Sequence, residues 1–187
     1  MTVQTKRRRF TLDQYHRMGH TGILGGDDRV ELVQGEIVEL GSITTRHAGT
    51  VARIAHLFSA RLDRRALVWT QNPLSLTGYQ SEPVPDLMLL VPRADFYVGG
   101  LPEPPSVRLL IEVADASHYY DRQKKLPLYA RAGVAESWLV NIDVKRLEIH
   151  RNPGRLRYRS VRLPTASETF APAAFPDVKL TVRDLFG

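Results

Sequence analysis

Two short, almost uninterrupted apolar runs, VPDLMLLVP at 84–92 and VRLLIEV at 107–113, constrain this chain more than any other feature. Runs of this length, rich in aliphatic residues and bounded by prolines, read as strands. Strands that do not alternate polar with apolar residues have to be covered on both faces. A central sheet flanked by helices follows, a mixed α/β (α+β) architecture. Pro102, Pro104 and Pro105 put the connection between the runs at the surface. Each run carries a carboxylate at one end: Asp86 opens the first and Glu112 lies near the close of the second. If the two strands are antiparallel neighbours, these ends lie side by side and the carboxylates converge.

Flanking segments supply the covering elements. FTLDQYHRMG reads as a short helix starting near Thr11, and the pair Gln34-Gly35 between RVELV and EIVEL closes a β-hairpin. Val51, Ile54, Ala55, Phe58 and Leu62 keep helical spacing after a cap at Thr44 or Thr45, and His47 extends that stripe, so it should face the sheet. ALVWTQNPLSLTG reads as a further strand. KKLPLYARAG reads as a helix capped by Gly133, with Pro127 either close to its start or kinking it. SWLVNIDVKRLEIHRN and RLRYRSVRLP form hairpin-like strands before a short closing segment.

Two buried carboxylates repel unless a cation or strong donors offset them. With a backbone carbonyl they make an oxygen-rich site suited to Mg²⁺ or Mn²⁺. The same spacing also fits Asp86 capping a strand after Pro85 and Glu112 pairing with a surface arginine. Lys125 bears on the choice. Leu126, Tyr129, Ala130 and Gly133 form an apolar stripe, so Lys125 borders the buried face of its helix while Lys124 lies one step further round. There it can reach toward Glu112, or else pair at the surface with Asp121 one turn away.

Composition narrows the chemistry. The chain has no cysteine, so any metal is held by oxygen or imidazole ligands. No apolar run reaches the ~18 residues of a membrane span, and MTVQTKRRRF lacks the apolar stretch of a secretory signal, so a cytoplasmic protein with no membrane partner is expected. Its 187 residues suit one domain over 10–187, after a flexible basic start at 1–9. The formal charge of +6 favours polyanionic partners, and 21 of the 26 basic residues are arginines. Arg155, Arg157 and Arg159 alternate in RLRYRSVR and, on a strand, would share one face along which a phosphate backbone could run. Such a row equally suits an outer face that resists edge-to-edge pairing, and KRRR at Lys6–Arg9 carries the same two readings.

HAGTVARIAHLF, VPDLMLLVP, LLIEVADAS and YDRQKKLPLYARAGVAESWLVNID, in this order, resemble the Uma-type family described as "putative restriction endonuclease", also known as domain of unknown function 820, within the PD-(D/E)XK nuclease superfamily. The resemblance covers residues 10–187 and implies a restriction-endonuclease-like fold, a central mixed β-sheet flanked by helices with added hairpins. It makes Asp86 a metal ligand and Glu112 the second acidic residue. The superfamily's usual lysine position is Ala114 here, so Lys125 becomes the equivalent cation, with Lys124 as the second candidate. Glu31 matches an upstream acidic position, and His47 matches a histidine opening the first long helix, a phosphate or supporting contact. The implied activity is Mg²⁺-dependent hydrolysis of phosphodiester bonds in DNA, with Asp86, Glu112, the Val113 carbonyl and Glu31 around Mg²⁺ or Mn²⁺ and Lys125 orienting water or phosphate. A homodimer is one assembly that would place two such sites on two strands. The alternative is a catalytically inactive nucleic-acid-binding module on the same fold.

Overall fold

The fold is that of a computed structural model, which describes residues 7–115 and 117–187. Lys6 and the five residues before it, part of the expected flexible start, lie outside the described residues. Helix α1 (Leu12–His20) starts at Thr11, whose side chain and that of Gln14 form a reciprocal capping box. Strands β1 (Val30–Val33) and β2 (Glu36–Glu39) form the expected hairpin. Gln34 and Gly35 both have positive φ, 53° and 79°, and a Cβ at Gly35 would come within 2.9 Å of the Phe10 carbonyl oxygen, so glycine is required there.

Helix α2 (Thr45–Leu62) is capped by Thr44, whose hydroxyl accepts from the His47 amide. Six strands then build the main sheet: β3 (Leu67–Thr70), β4 (Leu87–Leu90), β5 (Val107–Ala114), β6 (Glu136–Asn141), β7 (Arg146–Arg151) and β8 (Ser160–Arg162), in the order β3-β4-β5-β6-β7-β8. Only β5 and β6 run parallel, so the chain between them crosses one face of the sheet. That crossover is α3 (His118–Tyr120), a π-turn (Asp121–Lys125) and α4 (Leu126–Ala132), which ends at Gly133 with φ 86°. The π-turn is how the helix accommodates Pro127: the chain loosens to wider hydrogen-bonded turns just before it instead of stopping or kinking sharply. A two-stranded pair, β9 (Thr169–Phe170) with β10 (Leu180–Thr181), leads into α5 (Val182–Phe186).

Both faces of the sheet are covered, which explains the uninterrupted apolar runs. On one side Ile54, Phe58 and Leu62 of α2, with Val182 and Leu185 of α5, pack on Leu87, Leu89, Leu109, Ile111 and Trp138. On the other, Leu126, Tyr129 and Ala130 of α4 pack on Met88, Leu90, Leu110 and Leu139. All four residues of β4 are buried.

Two expectations are corrected. The segment after Ala66 is strand only to Thr70. The row Arg155, Arg157 and Arg159 does not lie on a strand face: these exposed residues occupy the loop between β7 and β8. The loop is bent because Tyr158 between them is drawn inward, donating to the Val134 carbonyl (2.9 Å) and meeting Ser137 Oγ (2.7 Å), while the Arg159 amide closes back on Asn152. The loop also leaves β7 at the end paired with Glu136, opposite to the end of the sheet where Glu112 lies.

Candidate active site

Leu87 faces Ile111 across the β4–β5 ladder, so Asp86 is carried beside Glu112. Alternation puts Glu112 on the α4 side of the sheet, with Leu110 and Ala114, whereas Asp86 lies just before β4 at the end of the sheet, where the start of α2 reaches it. Asp86 Oδ2 accepts from the Val113 amide at 2.8 Å, which locks the junction. A residue in a ladder turns its amide and carbonyl to the same neighbour, so the Val113 carbonyl points to the Asp86 side as well. Asp86 Oδ1 meets Nε2 of His47 at 2.8 Å, and this hydrogen bond, against the effect of burial, raises the pKa of the imidazole. The expectation that His47 faces the sheet thus holds, with a carboxylate as its partner.

Lys125 sits in the middle of the acids and is only 3% exposed. Its Nζ lies 2.9 Å from Glu112 Oε1 and 3.3 Å from Glu31 Oε2, and donates to the Val84 carbonyl at 3.3 Å. The surface pairing of Lys125 with Asp121 is therefore not found. Asp121 is buried too, held by Ser117 Oγ at 2.7 Å. Glu31 reaches the cluster because its hairpin docks on the segment before β4: the Glu82 amide donates to Leu32, and the Val84 amide to Glu31 Oε2 at 2.9 Å. Lys124, one position from Lys125, is exposed and contacts none of these acids among the described residues.

Burial pushes the Glu112 carboxyl well above the usual range, and Asp121 and Asp86 add to the rise, while Lys125 opposes it. Asp121 is raised mainly by burial. For Lys125 burial works against the ammonium, yet Glu112, Glu31 and Asp121 outweigh it and hold its pKa well above the ordinary lysine value. Lys125 is thus a fixed positive charge.

Tyr129 and Asp121 were not picked out by sequence reasoning as site residues. Tyr129 lies in the apolar stripe, but its hydroxyl donates to Glu112 Oε1 at 2.6 Å in the buried core. The only signal was a phenol where an aliphatic residue would pack equally well. Asp121 is legible only once the π-turn is known to rotate it inward.

Glu136, at the other end of the sheet, shows what a closed carboxylate looks like. Its Oε1 accepts from Trp138 and Arg151 and its Oε2 from the Ala173 amide. Glu112 has Oε1 occupied by Lys125 and Tyr129, while Oε2 has no hydrogen-bond partner among the described residues. Glu112 lines a cleft of about 690 Å³ between the hairpin and the sheet, shared with Glu31, Asp86, Asp121 and Lys125. Asp28, Glu39 and Asp115 extend its acidic wall.

The Uma2 family model, described as "Putative restriction endonuclease", matches residues 12–183. The chain belongs to this family. Uma2 membership makes it a nuclease-type chain with nucleic acid as its substrate class. No curated protein matches. Among solved structures, the crystal structure of a "putative nuclease belonging to DUF820" from Anabaena variabilis ATCC 29413 has a TM-score of 0.76 at 15% identity, covering 95% of this chain and 97% of that one. The restriction-endonuclease-like Uma2 fold expected from the sequence is thus the fold observed. No helix among the described residues is long and apolar enough to cross a membrane.

Proposed function

We propose that the chain is a divalent-metal-dependent endonuclease that hydrolyses phosphodiester bonds in DNA. The observation that carries this reading is Lys125, a buried ammonium held by Glu112 and Glu31 beside Asp86 at the floor of an acidic cleft.

The donor set fits Mg²⁺ or Mn²⁺. An anionic phosphodiester would be repelled by so acidic a wall without a cation between them. The donors are all oxygens, and Glu112 Oε2 is unengaged. Among the described residues no three acidic or imidazole side chains form a ready-made metal cage. That suits Mg²⁺, which takes one or two carboxylates and fills its shell with water and substrate phosphate. Asp86, Glu112 and the Val113 carbonyl would hold the ion, with Glu31 and Asp121 nearby. When bound, it lowers the pKa of a water and offsets charge on the phosphate.

The chain's own residues do the rest. His47 and the Val113 amide fix the two oxygens of Asp86, and Tyr129 fixes Glu112. Lys125, kept charged by its neighbours, stabilises negative charge developing on the phosphate as the water oxygen bonds to phosphorus and the bridging P–O bond breaks. A module without catalysis would gain nothing from four carboxylates crowded near one lysine, an arrangement that costs stability.

Incubating the purified protein with plasmid DNA tests the reading. Cleavage should require Mg²⁺ or Mn²⁺ and fall by about 10²–10³-fold or more in Asp86→Asn, the scale for loss of a preorganised group. Undiminished cleavage by Asp86→Asn, or none by the parent protein with either metal, overturns it.

A further inference from the structure

We propose that a basic hollow beside the cleft is a subsite for a backbone phosphate of the nucleic-acid strand flanking the scissile bond; this rests on the nuclease reading above. The hollow, of about 270 Å³, is lined by Arg46, Gly49 and Arg53 of α2, Ile142 and Lys145 of the β6–β7 turn, and Phe186. It contrasts sharply in charge with the catalytic cleft: three cations and no carboxylate line it.

Its position ties it to the chemistry. The start of α2 is shared, with the cap Thr44 and His47 lining the cleft and Arg46 and Gly49 lining the hollow. The Ile142 amide donates to the carbonyl of Ala114 at 3.0 Å, so the β6–β7 turn lies at the same end of the sheet as Glu112. Arg46 and Arg53 stand two turns apart on one side of the helix, roughly 10–11 Å along the axis, so one strand of phosphates can run past both.

The cations are available. Arg46 makes an exposed ion pair with Asp143 at 3.3 Å, which a phosphate can replace at little cost, and donates to the part-buried Ile142 carbonyl at 3.1 Å, which holds its guanidinium at the hollow. Arg53 packs against Gly187 at the rim, and among the described residues neither Arg53 nor Lys145 has an ion pair with an Asp or Glu side chain.

Gly49 leaves the helix backbone open in the same wall. It is exposed within α2, and a Cβ there would meet no atom within 4 Å, so packing does not require glycine. A glycine inside a helix is destabilising relative to alanine. One that packing does not require, in the wall of a basic hollow, leaves the backbone open to close approach by a bound group.

The test measures binding of a duplex oligonucleotide across a salt series, in the Asp86→Asn background so that cleavage does not interfere. Arg53→Ala and Lys145→Ala should each weaken binding several-fold and make the log–log salt slope shallower by about 0.9 per lost phosphate contact. Arg64→Ala, which removes the same charge just past the far end of α2, should leave the slope unchanged. Gly49→Ala should melt at a higher temperature and yet bind the duplex more weakly. Unchanged slopes for both Arg53→Ala and Lys145→Ala overturn the subsite, as does failure to bind the duplex. Displacement of the duplex by an equal concentration of inorganic phosphate also overturns it, since the hollow would then serve free anions. Metal-dependent cleavage by the parent protein is scored separately. Cleavage with unchanged slopes removes the subsite alone, whereas altered slopes without cleavage remove the nuclease reading and leave a nucleic-acid contact.

Discussion

The Nζ of Lys125 lies 2.9 Å from Oε1 of Glu112, although the lysine comes from a crossover helix and the carboxylate from the strand before it. The pair is buried, Glu31 Oε2 lies 3.3 Å from the same ammonium, and Asp121 favours its charge from further off, so one cation counterbalances several acids. Removing the single cation from such a buried cluster therefore costs more than losing a surface ion pair would.

Lys125→Met should abolish metal-dependent cleavage and destabilise the protein by about 3–5 kcal/mol at neutral pH, because the acids lose their counter-charge. Urea unfolding measures the loss. Adding Glu112→Gln to the same chain should recover part of the stability but none of the activity. A Lys125→Met protein as stable as its parent would mean that the cluster is solvated and not buried.

Glu112 gives a pH dependence of definite sign. Its carboxyl titrates higher in the folded chain than in the unfolded one, so the folded state binds more protons. The stability of the metal-free protein should then be greatest below the unfolded glutamate pKa, about 4.3, as far as this group is concerned, and decline as pH rises through the raised folded value. Melting temperatures of Glu112→Gln should match the parent in acid and exceed it at neutral pH, and Mg²⁺ should raise the parent's alone. Parallel curves for the two proteins would rule this out.

Tyr129→Phe removes the 2.6 Å hydrogen bond to Glu112 while keeping the ring that packs under the sheet. The expected cost is about 1.5–3 kcal/mol, as for a hydrogen bond to a charged group. Cleavage should fall roughly 10–100-fold, the usual effect of losing a group that orients a metal ligand. Activity within twofold of the parent would show that Lys125 alone fixes Glu112.

Glu148 titrates in the opposite direction. Its hydrogen bond from His150 holds the carboxyl below the usual range, with Arg122 and His118 adding to the effect against burial. Its contribution is present above the unfolded glutamate pKa and disappears as pH falls through the lower folded value. Glu148→Gln should therefore lose less stability on acidification than the parent. Because Arg122 belongs to the π-turn that carries Lys125, the same change should also slow cleavage. An acid limb as steep as the parent's would exclude this role for Glu148.

The sequence by itself determined the covered central sheet and the Gln34-Gly35 hairpin, narrowed the α2 cap to Thr44 or Thr45, and brought Asp86 beside Glu112 on the condition that their strands are antiparallel neighbours. Each follows from a local rule: apolar runs buried on both faces, positive φ at a tight turn, a hydroxyl on free amides, and the register of neighbouring strands. The apolar stripe already favours Lys125 over Lys124, and tertiary structure decided that Lys125 is buried against Glu112, Glu31 and the Val84 carbonyl. Lys124 and Lys125 differ by one helical step, and the π-turn before Pro127, set by packing against the sheet, turns Lys125 and Asp121 inward and leaves Lys124 in solvent. It also decided that Tyr129 serves Glu112 as well as the core, and that Arg155, Arg157 and Arg159 follow the inward pull of Tyr158 into a loop at the opposite end of the sheet. Spacing along a chain fixes which side chains share a face, whereas a buried charge is placed by partners brought together from distant segments.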